Sequence, residues 1–268
     1  MRIAVLIKQV PDTDDVKMDP ERGTMIREGA GGVVNPLDLN ALEAAMRIRL
    51  AGDSVTLLSM GPPNAEEALR EGLSFGADRA ILATDRAFAG SDSWATSKVL
   101  AAMLEKIGVP DLIIAGEKAT DGETGQVGPE VAALLGVPVE TRVTRLEKSG
   151  DGIEVDCTLE DGILTQRVQL PCVVTVLSDI NIPSLPTLAG KKSAYLKDVE
   201  TLTAESLGFG PDEVGLDVSP TRVVRIDRPE IARTAEKFFA KHEEELEAGL
   251  NRVVEILSNC GVLRGAPE

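Results

Sequence analysis

Aromatic side chains are nearly missing from this chain: five Phe, one Tyr and one Trp amount to 3% of 268 residues. Trp94 and Tyr195 stand alone, so no aromatic platform for stacking a ligand is indicated. Histidine is scarcer still. His242 is the only one, and it falls in KHEEEL on a charged helical pattern, where it reads as a solvated residue. That leaves no Ser–His relay and no His-based metal centre. No HExxH, GxSxG or DxD…E pattern occurs either. Cys157, Cys172 and Cys260 are too few for a four-thiolate zinc or iron–sulfur site and have no CxxC spacing. They read as inert packed thiols and give no sign of an oxidising compartment.

Positive charge is also in short supply. Lys and Arg number 28 against 44 Asp and Glu, a formal charge of −16. Nucleic-acid binding, which needs clustered basic side chains, is excluded as a reading. The charge suits solubility and steering toward a basic partner surface. No apolar run is long enough to cross a bilayer; Val173–Leu177 with its flanks is among the longest. MRIAVLIKQV has only a short apolar stretch and no small-residue cleavage site after it, so it reads as a first strand rather than a signal peptide. A cytoplasmic location is expected.

What the chain does have is alternation. Arg2–Lys8, Ser54–Met60, Arg79–Thr84 and Asp111–Ala115 read as short apolar strands. Helical patterns over Pro36–Leu50 (with Asn35 as its N-cap), Asn64–Ser74 and Ser93–Lys106 separate them, and another ends near Gly136. Such alternation predicts βαβ units and a parallel sheet, with ligands beyond the carboxyl ends of the strands. From Val139 the pattern changes to strand-like segments broken at Ser149–Gly152 and Asp161–Gly162, which predicts an antiparallel extension. A further buried strand at Cys172–Leu177 follows. INIPSLPTLAGKK, with Pro183 and Pro186, reads as an extended arm, and residues 229–258 as a long charged helix with Pro229 near its start. The expected division is an α/β nucleotide-binding domain with a hairpin extension over residues 1–178, then an arm and terminal helix over 179–268.

The densest chemical signal is GEKATDGETGQVGPEVAALLG, residues 116–136, directly after the Asp111–Ala115 strand. Walker A requires Lys after the last glycine, and Gly125 is followed by Gln126, Gly128 by Pro129. The dinucleotide fingerprint requires GxGxxG, and the spacing here is GxxGxxG. Both named motifs fail. A generic anion site at a helix start remains open, alongside a plain strand-to-helix connection. Pro129 suits the first helical turn, and Thr120 and Thr124 offer hydroxyls. Asp121 and Glu123 would repel a phosphate; they suit ribose hydroxyls or, more simply, solvent. Lys8, at the end of IKQVPD, reads as a surface charge that could reach a phosphate.

Taken together and in order, IKQVPD, VVNPLDLNALEAA, SMGPP, IIAGEKATDGETGQVGPEVAALLG, LPCVVTV and LPTL resemble the electron transfer flavoprotein beta subunit, over almost the whole chain. The resemblance implies a parallel-sheet nucleotide-binding α/β fold of the adenine nucleotide alpha hydrolase type. It also implies a heterodimer with an FAD-carrying alpha subunit embraced by an arm. By position, the nucleotide would contact Leu6, then Asn35, Pro36, Leu37 and Asp38, then Met60. The turn Ala119, Thr120, Asp121, Gly122, Glu123, Thr124, Gly125, Gln126 and Val127 would cradle its phosphates. The compact DGETGQVGP is similar to the form found in electron-bifurcating members, which implies FAD here rather than the AMP of ordinary members. It further implies NADH as electron donor, ferredoxin or flavodoxin as low-potential carrier, and a dehydrogenase or quinone-linked acceptor. Ordinary members carry a lysine-rich docking stretch after a leucine. Here Leu188 is followed by AGKKSAYLK, with only Lys191, Lys192 and Lys197, so a different partner dehydrogenase is expected. The alternatives are an ordinary AMP-binding beta subunit served by acyl-CoA dehydrogenases, or a nucleotide-binding regulatory module of the universal-stress type.

Overall fold

Strands buried on both faces must be apolar along their whole length, and the central ones here are. In β1 (Arg2–Leu6), Ile3 and Val5 enter one core while Ala4 and Leu6 enter the other. β6 (Leu112–Gly116) divides in the same way, with Leu112 and Ile114 opposite Ile113 and Ala115. The computed structural model describes residues 1–12, 32–210, 212–224 and 235–262.

The remaining strands are β2 (Gln9–Pro11), β3 (Gly32–Val34), β4 (Ser54–Met60), β5 (Arg79–Ala83), β7 (Val139–Ser149), β8 (Gly152–Thr158), β9 (Ile163–Gln169), β10 (Cys172–Val176) and β11 (Val199–Leu202). The helices are α1 (Pro36–Ile48), α2 (Glu66–Ser74), α3 (Ser93–Lys106), α4 (Val127–Leu135), α5 (Leu188–Leu196) and α6 (Glu243–Asn259). Nine strands form one sheet in the order β11-β5-β4-β1-β6-β10-β7-β8-β9. Pairings from β11 to β7 are parallel; β7–β8 and β8–β9 are antiparallel. The expected mostly parallel sheet with a hairpin extension is therefore what forms.

Apolar residues of α1 and α2 fill the core on one face of the sheet, and those of α3 and α4 the core on the other. The chain winds outward from β1 through β4 to β5, then returns on the opposite face to place β6 on the free side of β1. The order reverses between β1 and β6, and the carboxyl ends of strands at such a reversal open into a crevice.

Three regions depart from the sequence expectation. β2 and β3 pair as a short antiparallel ribbon before α1; with three residues each, they carry no readable alternation. The arm is extended only through residues 181–187. Beyond it, Thr187 Oγ1 accepts a hydrogen bond from Gly190 N at 2.9 Å and starts α5. α5 packs on α2 and buries only Ala194, so its sequence shows no apolar stripe, and β11 then joins the sheet beside β5. The helix expected over 229–258 begins at Glu243, where three consecutive glutamates suit the positive end of the helix dipole. Residues 229–234 lie outside the described residues, and 235–242 are not helical. The described chain divides into two units, Met1–Ile226 and Asp227–Glu268.

Candidate functional site

The crevice at the β1/β6 reversal is built from the end of β1, the start of α1 and the turn after β6. Gly116 closes β6 where α1 comes nearest. A Cβ there would stand 2.5 Å from Asp38 Oδ1 and 2.7 Å from Leu37 Cβ, so only glycine allows the approach. That approach lets Gly116 N donate to Asp38 Oδ1 at 3.2 Å. Asp38 is buried and also accepts from Lys8 N at 2.7 Å and from Asn35 Nδ2 at 3.0 Å. Burial drives its carboxyl up to about 7, against the opposing pull of these donors and of the Lys8 charge.

Asn35 precedes α1 but makes no side-chain capping bond, contrary to the simple helix-cap reading. Its amide reaches across to the turn instead. Nδ2 also donates to Lys118 O at 3.0 Å, and Oδ1 accepts from Thr120 N at 3.2 Å. An Asn offering both donors and an acceptor can stitch two loops in this way where an Asp could not.

Lys8 and Asp121 overturn their expected roles as solvated charges. Lys8 Nζ lies 2.6 Å from Asp121 Oδ1, and the Asp121 side chain is only 6% exposed. Glu123 is the exposed acid of the turn, at φ 51°, facing Lys118 Nζ at 3.3 Å. The turn's own acids are thus each matched by a lysine, which removes the objection they posed to an anion.

The backbone supplies the donors. Glu123 N donates to Ala119 O, and Gln126 N lies 3.4 Å from Thr124 Oγ1. Among the described residues, the N–H groups of Asp121, Gly122, Thr124 and Gly125 have no acceptor. α4 follows with no side-chain cap, so its first N–H groups add to the set. Gln126 does not cap it because its Oε1 accepts from Ser93 Oγ at 2.9 Å, which fastens the turn to the start of α3. Gly128 seats α4 directly against β10, where a Cβ would run into the Thr175 methyl. Gly122 and Gly125 have open space around them: nothing within 4 Å of a Cβ on Gly122, and only Glu117 O at 3.7 Å from one on Gly125.

The structure gathers Asn35, Pro36, Leu37 and Asp38 with residues 119–127 around this crevice. Leu6 is there only through its backbone, since its side chain packs in the core beneath α3 and α4. Met60 stands at the end of the adjacent β4. The pairing of Lys8 with Asp121 is what the sequence does not show; nothing local marks a lysine at a strand end as the partner of an acid 113 positions away. A row of free backbone donors at a helix start, beside a crevice whose carboxylates are all engaged, fits the phosphates of a nucleotide.

No helix among the described residues is long and apolar enough to cross a membrane, and no cluster of His, Cys, Asp and Glu among them could hold a metal ion. Comparison with known proteins matches residues 22–207 to the electron transfer flavoprotein domain. The chain is 45% identical to the electron transfer flavoprotein subunit beta of Thermoanaerobacterium thermosaccharolyticum, covering 94% of this chain and 98% of that one. It is 46% identical to subunit CarD of the caffeyl-CoA reductase–Etf complex of Acetobacterium woodii, over 85% and 88% of the two chains. Identity to the acryloyl-CoA reductase electron transfer subunit gamma of Anaerotignum propionicum is 40%, over 85% and 89%. With the matched domain spanning β3 to the turn after β11 and the relatives spanning nearly the whole fold, this chain belongs to the electron transfer flavoprotein family as a beta subunit.

Proposed function

We propose that this beta subunit binds FAD and takes electrons from NADH for bifurcation. One electron goes to ferredoxin or flavodoxin, and the other to a higher-potential dehydrogenase or quinone-linked acceptor by way of the alpha subunit. The observation that carries the reading is the compact turn DGETGQVGP, with its unengaged N–H groups and the open space at Gly122 and Gly125. A turn of this form leaves room beside the phosphate donors for more than an adenylate.

When bound, the flavin supplies the hydride and single-electron chemistry. This chain's residues bind and orient. Ala119 through Val127 hold the phosphates by backbone N–H groups and the Thr124 hydroxyl, Asn35–Asp38 fix the facing wall, and Leu6 and Met60 close the floor at the strand ends. No side chain at the crevice serves as an acid or base. The buried Asp38 carboxyl already accepts at both oxygens from Lys8, Asn35 and Gly116, and that of Asp121 is paired with Lys8.

The relatives named for caffeyl-CoA and acryloyl-CoA reductases support a reductase of that kind as the electron-accepting partner. A docking mode other than a free lysine cluster is supported by Lys197, whose ammonium donates to Ala77 O at 2.5 Å. The surface that packs on the alpha subunit comes from exposed segments of residues 179–268, outside α5's contact with α2 and β11's place in the sheet. Ile182, Leu185, Leu188, Tyr195, Leu196 and Leu250 are all more than half exposed, and apolar exposure on that scale marks interaction surfaces.

The test is the nucleotide content of the purified heterodimer. Heat release and chromatographic quantification should give two FAD per complex and essentially no AMP, and NADH should bleach the flavin absorbance directly. One FAD with one AMP would overturn the FAD assignment.

A further inference from the structure

We infer that Lys8, Asp121 and Asn35 form a latch that holds the turn after β6 in its donor-presenting shape, making the Lys8 and Asp121 side chains positioning groups for the nucleotide rather than its ligands. The inference rests on the reading that this turn holds a nucleotide.

Lys8 directs its three polar groups to the start of α1 and to the turn. Its N–H donates to Asp38 Oδ2 of α1, its carbonyl accepts from Asn35 N, and its ammonium reaches Asp121 in the turn. Asn35 closes the loop from the other side by joining Asp38 to Lys118 O and Thr120 N. The end of β1, the start of α1 and residues 118–121 of the turn are therefore tied in one ring of hydrogen bonds. The free N–H groups of Asp121, Gly122, Thr124 and Gly125 begin where this ring ends.

Two physical consequences follow. First, the Ser93–Gln126 and Glu123–Ala119 bonds hold the far end of the turn, and these ties are what fix residues 118–121, where its free N–H groups begin. Without the ties its N–H groups must be ordered by the nucleotide itself, at a cost in affinity. Second, Asp121 carries a charge next to the phosphate donors. Lys8 neutralises it from behind, on the β1 side. An Asp121 without its counter-charge would oppose an incoming phosphate, and a Lys8 without Asp121 would leave the turn untied. Because the Asp121 side chain is only 6% exposed and the Lys8 side chain 41%, the pair is screened on one side only.

The experiment measures the rate of nucleotide loss from the purified heterodimer of Lys8→Met, Asp121→Asn, the double variant and Lys8→Arg. Nucleotide released into a scavenging apo-flavoprotein or onto a desalting column is quantified against time. The unfolding midpoint of each nucleotide-stripped heterodimer is measured in parallel. Each single variant should lose nucleotide about tenfold faster, the scale of leaving one partner of a half-buried pair alone. The double variant should be no worse than the poorer single one, because both changes break the same tie. Lys8→Arg, which keeps the charge and the donor, should stay within about twofold of the parent. The stripped heterodimers should differ little in midpoint, since the latch acts on the nucleotide-binding shape. Additive effects in the double variant, unchanged loss rates, or losses that merely track lowered midpoints would each overturn the latch. If the parent heterodimer releases no nucleotide beyond that of the alpha subunit, the underlying reading fails and the latch with it. A parent that releases AMP overturns only the FAD assignment, and the latch is then judged on the AMP loss rate.

Discussion

Replacing Gly128 by alanine should damage the site for a reason that can be repaired one residue away. Gly128 lies in the first turn of α4, and a Cβ built on it would fall well inside the contact distance of Thr175 Cγ2 on β10. Carbon–carbon contacts are favourable near 3.5–4.0 Å, so α4 must lift off the sheet or Thr175 must give way. Thr175 is fully buried and, being β-branched, stiff about χ1. Overpacking of this kind costs about 1–3 kcal/mol. Alanine in place of glycine recovers up to about 1 kcal/mol of helix propensity, less in a first turn, leaving a net loss of about 1–2 kcal/mol. The displacement is worse for function than for stability, because it moves the helix start whose N–H groups face the phosphates.

The repair is Thr175→Ser, which removes Cγ2 and leaves Cβ, 3.8 Å from the new methyl and an ordinary contact. Thr175 Oγ1 has no hydrogen-bond partner among the described residues, so no bond is sacrificed. The double variant should return to within about 0.5 kcal/mol of Thr175→Ser alone, a coupling of about 1 kcal/mol or more across the pair. The assay is denaturant unfolding of the heterodimer, followed by flavin and far-ultraviolet signals, with nucleotide retention through gel filtration alongside. A Gly128→Ala protein as stable and as loaded as the parent, or a Thr175→Ser change that fails to restore it, would refute the packing argument.

Two other perturbations separate effects that composition alone would merge. Gly125→Val should strip nucleotide while Gly122→Ala should not, because Gly125 holds φ +64° in the left-handed region whereas Gly122 is in open space. The strain for a β-branched residue there is about 1–2 kcal/mol, and equal retention in both variants would sink the argument. Asp38 makes stability depend on pH in the less common sense. Its folded pKa, raised by burial to about 7 from 3.8, means the native state holds the proton more tightly. This carboxyl's contribution is therefore full below about pH 4 and is lost as the pH rises through about 7. Comparing Asp38→Asn with the parent by denaturant unfolding from pH 4 to 8, the stability of the variant relative to the parent should climb across that window and level off above it. A flat difference would show that Asp38 does not titrate there.

The sequence by itself determined the architecture around the crevice. Apolar strands buried on both faces, helices between them and a clean change to hairpin signals at Val139 left little choice but a parallel sheet with an antiparallel extension. The reason is that periodicity and turn chemistry are local properties, written in consecutive residues. The turn after β6 was legible for the same reason, as glycines, hydroxyls and a proline running into a helix. α5 and β11 were not, because one buries a single alanine and the other is four residues long at an edge; the neighbours they pack on define them. The chemistry inside the crevice was likewise decided only by the tertiary fold. Asn35 looked like a cap and became a bridge, and Lys8 and Asp121 looked solvated and became a pair. Electrostatic fate depends on which charge lies within a few ångströms, and strand order, not sequence spacing, set β1 beside β6 and so Lys8 beside Asp121.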